Sequence, residues 1–171
     1  MAVSRPEFTQ IYDQHVERIY RYLLARTGVP AEAEDLTAET FRAALEGYSR
    51  FRPEDGSAAG WLVGIARHKL ADHYRRRPAL PLEDAANHPH PAPSPEEQAG
   101  QRMEWDQVCA ALSRLSAERA EALALHYFAG LGLAEVGRSM GKSEEAAKKL
   151  VQRGLAELRE RLALNARQPT A

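Results

Sequence analysis

The chain has 171 residues, of which 44% are hydrophobic and 27% charged, with a net charge of −1 and one cysteine, Cys109. This composition suits one or two small globular domains and is too apolar for a fully disordered chain. A single cysteine excludes an internal disulfide framework and a cysteine-rich zinc site. No apolar run reaches the about 18–20 residues that a membrane helix needs, and the first residues lack the apolar segment of a signal peptide. We therefore expect a soluble, cytoplasmic protein.

Helical periodicity fills the chain up to about residue 78. Apolar residues recur at helical spacing from Phe8 to Leu23, which predicts a first helix, and Gly28 and Pro30 separate it from a second. Ser57 is placed to cap a third helix after the loop FRPEDGS. No alternating pattern typical of β-strands is present, so we expect an all-α fold.

The middle of the chain is a proline-rich segment that separates two helical domains. Six of the ten prolines fall between Pro78 and Pro95, and proline interrupts both helices and sheets. Residues 79–104 hold one basic and five acidic residues, which predicts an acidic, semi-flexible linker. The domains are then residues 1–78 and 105–171. His88 and His90 in the linker are interpreted as solvated side chains rather than metal ligands.

The second domain has the layout of a helix-turn-helix. Gly130 and Gly132 end one helix, a short helix then reaches Gly141, which suits a left-handed C-cap, and Ser143 caps a long last helix. A short helix, a glycine-containing turn and a longer basic helix are typical of DNA-binding domains. The polar face of the last helix would enter a major groove, although two acids at its leading end weaken the signal. This face consists of Glu144, Glu145, Lys148, Lys149 and Gln152.

Enzyme motifs are missing from the sequence. No phosphate-binding glycine loop is present, and His68 and His73 are five residues apart, which misses the spacing of zinc proteases. Cys109 lies on the apolar side of its helix, which favours a buried small hydrophobe over a nucleophile. We therefore expect no catalytic site, no metal and no cofactor.

Two patches in the first domain indicate binding. Asp35 and Glu39, one helical turn apart in AEDLTAETF, are either a solvated acidic face or a surface for a protein partner. Around the third helix, aromatic residues interleave with basic ones, as in proteins that hold single-stranded nucleic acid. For Trp61 the alternative is core packing, and for the basic residues it is a solvated face. The patch consists of Tyr48, Arg50, Phe51, Arg52, Trp61, Arg67, His68, Lys69, Tyr74, Arg75 and Arg76.

Together these motifs resemble the bacterial extracytoplasmic-function (ECF) sigma factors of the sigma-70 family. The resemblance covers roughly residues 7–77 and 105–163. AEDLTAETF is similar to the helix that binds core RNA polymerase, and WLVGIARHKLADHYRRR to the segment that melts and holds the −10 element. The sequence from LSRLSAERAEALAL to LVQRGLAELRERL is similar to the −35-binding domain. The resemblance implies a dissociable subunit that takes polymerase to promoters, helps to open them and uses no cofactor.

The resemblance also assigns residues to partners. It implies contact with the β′ clamp of core polymerase for Asp35, Leu36, Glu39 and Phe41, and it names the β flap as a second part of the polymerase that the chain meets. It implies −10 DNA contact for Arg50, Phe51, Arg52, Trp61, Arg67, His68, Lys69, Arg75 and Arg76. It implies −35 DNA contact for Ser143, Glu144, Lys148, Lys149, Gln152 and Arg153. An anti-sigma factor is implied as a regulatory partner, without membrane insertion.

Several positions depart from the family pattern. Ala38 stands for the usual glutamine, His68 for asparagine and Ala147 for a larger aliphatic residue. Gly132 stands where a capping serine is common, and Gly137 where alanine is frequent. Each glycine is expected to cost up to about 1 kcal/mol of helix stability.

Two other classes of protein remain open from the residues alone. One is a DNA-binding regulator that acts by itself through the helix-turn-helix, and the other is an interaction module such as a sigma-like decoy. The acidic helix and the aromatic-basic loop discriminate between these classes and a sigma factor, because a stand-alone repressor needs neither.

We also expect weak DNA binding by the free chain. The logarithm of its affinity for duplex DNA should fall with the logarithm of salt concentration at a slope of about −3 to −4, from four cations. These cations are Lys142, Lys148, Lys149 and Arg153.

Overall fold

The structure is a computed structural model that describes residues 5–77 and 96–167. Seven α-helices and no strand occur within these two ranges, which confirms the predicted all-α fold. The first three helices form the N-terminal domain and the other four the C-terminal domain. The helices are α1 (Arg5–Thr27), α2 (Pro30–Gly47), α3 (Ala58–Arg76), α4 (Glu96–Ser113), α5 (Ala117–Leu123), α6 (Leu133–Met140) and α7 (Glu144–Arg167).

The predicted linker is shorter than expected at its C-terminal end. Helix α4 begins at Glu96, so residues 96–104 are helical rather than extended. The physical reason is that the prolines end at Pro95, after which glutamate and glutamine favour a helix. Residues 79–95 of the linker, with His88 and His90, lie outside the described residues.

The three helices of the N-terminal domain pack around a core that includes Ile19, Leu23 and Leu62, each at most 1% exposed. The predicted break between α1 and α2 is confirmed, because Gly28 adopts a φ of +70° and Pro30 is the first residue of α2. The predicted cap is also confirmed, since the amide of Gly60 donates to Ser57 Oγ at 3.0 Å. Two short 3₁₀ turns, Tyr48–Arg50 and Pro53–Asp55, give the loop before α3 its shape.

The C-terminal domain contains the predicted helix-turn-helix, formed by α6, a short turn and α7. Gly141 has a φ of +66° in the turn, and the amide of Ala146 donates to Ser143 Oγ at 3.1 Å to cap α7. A π-helical turn, Ala124–Phe128, follows α5. Tyr127 is 54% exposed, because the wider π turn rotates its last residues away from the α-helical register.

The structure corrects the expectation that Gly137 weakens α6. A Cβ atom at this position would lie 2.8 Å from the carbonyl oxygen of Lys142 and 3.0 Å from the carbonyl carbon of Ser143. The turn into α7 therefore passes so close to α6 that alanine does not fit without a shift of the backbone. Glycine at this position sets the approach of the two helices.

The two domains pack against each other. Helix α1 contacts the π turn and α4, while α3 contacts α6. Two residues buried in this interface, Tyr22 and Glu121, are 0% and 8% exposed. A cavity of about 440 Å³ lies along the interface, between α1 and α3 on one side and α5 and α6 on the other. In the described part of the chain, no helix has the length and apolar character needed to cross a membrane.

Candidate nucleic-acid interface

Helix α7 presents one polar face outward, which we call the recognition face. Its members Glu144, Lys148, Lys149, Gln152 and Arg153 are all exposed. The opposite side of α7 is buried at Ala147, Val151 and Gly154. Because residues three or four apart share a face of a helix, the buried stripe orients the polar one toward solvent. The small Ala147, a departure from the family pattern, is fully buried.

Lys142 differs from the other cations expected to contact DNA. Its ammonium lies 2.9 Å from a carboxylate oxygen of Glu118 on α5. Three exposed cations, Lys148, Lys149 and Arg153, therefore remain on α7 next to the turn. The expected salt slope for duplex DNA falls accordingly to about −3.

The aromatic-basic loop, residues 48–57, is held by stacked rings. The rings of Phe51 and Trp61 stack with centroids 4.6 Å apart, and those of Tyr48 and Phe51 with centroids 6.3 Å apart. Tyr48 also meets Phe8 edge-on at 5.4 Å. The ring of Trp61 is thus partly buried against the loop, which is intermediate between the two alternatives considered for it, core packing and base stacking. Its ring positions Phe51 and the loop relative to α3.

A cavity of about 410 Å³ lies beside this loop. Its N-terminal wall includes Arg50, Arg52, Ser57 and Trp61, and α6 of the other domain closes it with Glu135, Arg138 and Ser139. Arginine and aromatic side chains, together with the acids Asp55 and Glu135, therefore line a space that is large enough for a small planar group. The same space is covered by the C-terminal domain.

The basic side chains of α3 have different surroundings. His68 and Arg75 both pair with Asp72, His68 at 3.7 Å, and Arg76 is exposed. Lys69 is partly buried. Arg67 points into the domain interface, where its Nε lies 2.8 Å from Glu121 and its Nη1 donates to the carbonyl of Ser139. The sequence placed these residues on one surface, whereas the structure directs Arg67 toward the partner domain.

The acidic patch of α2 is smaller than the sequence suggested. Asp35 is exposed and Glu39 partly exposed, but Leu36 and Phe41 are only 3% and 5% exposed. The ring of Phe41 packs edge-on against Tyr12 at 4.8 Å. Leu36 and Phe41 are therefore covered in this conformation, because neighbouring helix positions point to different faces, and their assignment to partner contact stays a prediction. These two residues anchor the helix that presents the carboxylates.

Sequence reasoning missed a cluster of four polar residues in the domain interface. Glu121 accepts a hydrogen bond from the hydroxyl of Tyr22 at 2.9 Å and lies 2.9 Å from Arg26 Nε, an ion pair without hydrogen-bond alignment. Arg67 completes the cluster. The only sequence signal was an acid within an otherwise apolar stretch of α5. Its partners lie up to 99 residues away, and no local pattern records such a pairing.

Burial changes the pKa of two groups near this interface. Burial is the main reason why the pKa of Tyr22 is raised well above its usual value, and the nearby Glu121 carboxylate raises it further. The hydroxyl therefore stays protonated and donates its hydrogen bond to Glu121. Burial, with a smaller contribution from the negative charge of Asp106, raises the pKa of Cys109 to about 12. The Cys109 sulfur lies 3.8 Å from the carbonyl oxygen of Leu24 on α1. Cys109 is half-buried, so the predicted buried small hydrophobe is met only in part.

Comparisons with known proteins connect these surfaces to a family. A family model of sigma-70 region 2 matches residues 11–79, and one of sigma-70 region 4 matches residues 106–158. The solved structure of CnrH in complex with the cytosolic domain of CnrY has the same fold, with a TM-score of 0.71 at 23% identity over 96% of this chain and 92% of that chain. The sigma factor RpoE of Bartonella quintana, solved with the anti-sigma factor NepR, gives a TM-score of 0.68 at 21% identity over 92% and 97%.

Curated relatives are similar over most of this chain. It is 35% identical over 154 residues to the ECF RNA polymerase sigma factor BldN of Streptomyces coelicolor, and 32% over 165 residues to SigE of Mycolicibacterium smegmatis. These alignments cover 88% and 94% of this chain but only 58% and 63% of those proteins. The ECF sigma factor SigF of Caulobacter vibrioides is 36% identical over 150 residues, which are 85% of this chain and 79% of that protein. The chain therefore belongs to the ECF sigma factors of the sigma-70 family.

Proposed function

We propose that this protein is a promoter-specificity subunit that takes core RNA polymerase to particular promoters and assists their opening. One observation carries the proposal: a single chain joins an outward-facing recognition helix to a ring-stacked, basic loop, and the matching family models are those of regions 4 and 2. A stand-alone regulator needs only the first of these surfaces. The catalysis would belong to the polymerase, and the place of action would be the cytoplasm.

The recognition face on α7 is proposed to read the −35 element. Lysine can donate to guanine and glutamine can pair bidentately with adenine in the major groove. Lys148, Lys149 and Gln152 are exposed on this face and would make such contacts, while Arg153 suits a phosphate. Ser143 and Glu144 stand at the helix N-terminus, where they set the entry of the helix into the groove.

The aromatic-basic loop and α3 are proposed to hold the −10 element as a single strand. Base stacking on an aromatic ring contributes about 1–3 kcal/mol per base and needs little sequence specificity. The cavity beside the loop offers Phe51 for stacking, with Arg50 and Arg52 at its rim. The strand would then follow the basic side chains of α3, which are Arg67, His68, Lys69, Arg75 and Arg76.

The acidic patch of α2 is proposed to meet the β′ clamp of core polymerase, and the C-terminal domain the β flap. Exposed carboxylates one helical turn apart favour a basic partner. Asp35 and Glu39 are the groups available for such contact. An anti-sigma factor is proposed as a further partner, on the strength of the complex of Bartonella quintana RpoE with NepR. Purification of the protein from uninduced native cells with polymerase subunits alone would contradict that last proposal.

The polymerase assignment is tested by a pull-down with core enzyme. We expect Asp35→Arg combined with Glu39→Arg to weaken binding at least about tenfold, because two attractions become repulsions. Glu34→Arg is the matched control, since Glu34 is an exposed acid on an adjacent side of the same helix. Unchanged binding by a folded double variant would refute the assignment.

The function as a whole is tested by run-off transcription with core polymerase on genomic fragments. The wild-type chain is expected to produce transcripts from a defined subset of promoters. Nanomolar, sequence-specific binding to duplex DNA without polymerase, together with no transcripts, would instead identify a stand-alone regulator.

A further inference from the structure

The cavity of about 440 Å³ between the two domains is large enough for a small organic molecule. Binding sites for such molecules usually measure about 300–1,000 Å³ and often lie between domains. Helices α1 and α3 form one wall of this cavity, and α5, α6 and the turn before α7 form the other. The chemistry of the two walls therefore decides which class of molecule fits.

The charged side chains on these walls leave one positive charge uncompensated. Lys142 pairs with Glu118 at 2.9 Å, so these two charges cancel. The other two cations, Arg26 and Arg67, share the single carboxylate of Glu121, at 2.9 and 2.8 Å. Three cations thus line the cavity with two carboxylates, and the surplus charge lies beside Glu121.

Arg26 is a cation with hydrogen-bonding capacity left over. Its Nε is buried and has no hydrogen-bond acceptor among the described residues, although the Glu121 carboxylate lies 2.9 Å away. That carboxylate accepts a hydrogen bond from the hydroxyl of Tyr22 at 2.9 Å. An arginine presents its N–H groups as a rigid fork that matches a carboxylate or a phosphate. A second oxyanion in the cavity would therefore find both a donor group and a surplus charge.

The rest of the lining is largely apolar or aromatic. Leu70, Ala71 and Tyr74 belong to α3, and Met140 belongs to α6. The hydroxyl of Tyr74 donates to the carbonyl oxygen of Arg26 at 2.8 Å, which holds the tyrosine next to this arginine. A methionine side chain adapts its shape to irregular gaps and contacts aromatic rings favourably. A ligand with a planar apolar body and one anionic group would satisfy both parts of the lining.

We propose that this cavity is a binding site for a small aromatic carboxylate with a single negative charge. The carboxylate pairs with Arg26 beside Glu121, and the ring lies against Leu70, Tyr74 and Met140. One negative charge balances the surplus cation. A phosphate monoester carries nearly two charges near pH 7, so it would leave a negative charge unpaired in the cavity. The proposal does not rest on the proposed function, because it concerns the chain without polymerase or DNA.

The class of ligand is tested by isothermal titration calorimetry of the purified full chain with naphthoate. A single naphthoate is expected to bind each chain. Naphthamide, a neutral molecule of the same shape, should bind at least about tenfold more weakly, because charge-assisted hydrogen bonds are about twice as strong as neutral ones. The dianion naphthyl phosphate should also bind more weakly than naphthoate. Equal affinity for naphthoate and naphthamide would overturn the proposal, and tighter binding of the phosphate would overturn the choice of a carboxylate.

Two variants test the place of binding by different means. Arg26→Gln removes the cation, so it should weaken naphthoate binding about tenfold and abolish the preference for naphthoate over naphthamide. Ala71→Phe fills the cavity without changing its charge, since Ala71 lines the cavity and is itself exposed. It should weaken the binding of both probes alike. Wild-type affinity in either folded variant would overturn the proposed site.

The matched controls are Arg21→Gln and Ala110→Phe. Arg21 lies on the same helix as Arg26 but pairs with Glu17 on the exposed surface. Ala110 is an exposed alanine of α4 outside the cavity lining. Both controls should bind naphthoate with wild-type affinity, and an equal loss of affinity in them would overturn the site. Thermal melting establishes that each variant is folded, and naphthoate should raise the melting temperature of wild type but not of Ala71→Phe.

Discussion

The two candidate DNA surfaces of this protein differ in how the fold presents them. The recognition face on α7 is exposed along its whole length, with three cations turned to solvent. The surface on α3 and the loop before it lies partly under α6, and its Arg67 is bound to Glu121 of the other domain. Helix periodicity alone therefore exposes the recognition face, whereas the position of the C-terminal domain decides whether the surface on α3 is exposed.

The largest expected effect is a loss of DNA affinity when the lysines of the recognition face are replaced. Lys148→Ala with Lys149→Ala should weaken binding to −35 DNA on the order of 10²-fold, since each base contact contributes about 1–3 kcal/mol. The salt slope of the free chain on duplex DNA should fall from about −3 to about −1. Gel-shift titrations at several salt concentrations measure both quantities. Arg114→Ala, which removes an exposed charge from the end of α4, should change neither, and equal losses in both variants would contradict the assignment.

The next largest effect is a loss of folding stability, which tests how α6 supports the recognition face. Gly137→Ala should destabilise the protein by about 1–3 kcal/mol, because the new methyl group overlaps the carbonyl of Lys142. Gly64→Ala is the matched control in α3, where no atom lies within 4 Å of the added Cβ. That control should gain about 0.5–1 kcal/mol from the better helix former. Chemical denaturation compares the two, and a stabilised Gly137→Ala would show that the turn into α7 can move freely.

A smaller effect probes the interface between the two domains. Tyr22→Phe removes the hydroxyl that donates to Glu121, so it should destabilise the folded chain by about 1–2 kcal/mol near neutral pH. The pKa of Tyr22 is raised in the folded chain above its usual 10.0, so its contribution is complete below pH 10 and is lost as the pH rises toward the raised value. The difference between wild type and variant should therefore shrink above pH 10. Thermal melting across this range measures it, and a constant difference would contradict the role of the hydroxyl.

The smallest effect concerns the start of α6. Gly132 is the N-cap of this helix, with an extended backbone and no side-chain cap. Gly132→Ser should stabilise the C-terminal domain by only a few tenths of a kcal/mol, because glycine is itself an acceptable N-cap. Denaturation curves should show this gain with no change in the affinity of α7 for DNA. A loss of stability would indicate that the added side chain disturbs Glu135.

The sequence predicted the helices and their ends well because the signals for these features are local. Gly28, Ser57, Gly141 and Ser143 each act on backbone groups a few residues away, and the structure confirms each. The outward direction of the recognition face followed from the spacing of Ala147 and Val151 in the same way. Gly137 was misjudged because its neighbour across the turn, the carbonyl of Lys142, contacts it only in the folded domain.

The sequence by itself determined the all-α class, the division into two domains, the recognition face and the family resemblance, since all of these depend on periodicity and short motifs. Only the tertiary structure decided which predicted site residues are reachable: Leu36 and Phe41 are buried, and Arg67 faces Glu121. The physical reason is that burial and ion pairing depend on contacts between residues far apart in the chain. Tyr22 and Glu121 are separated by 99 positions, and only the packing of one domain on the other joins them.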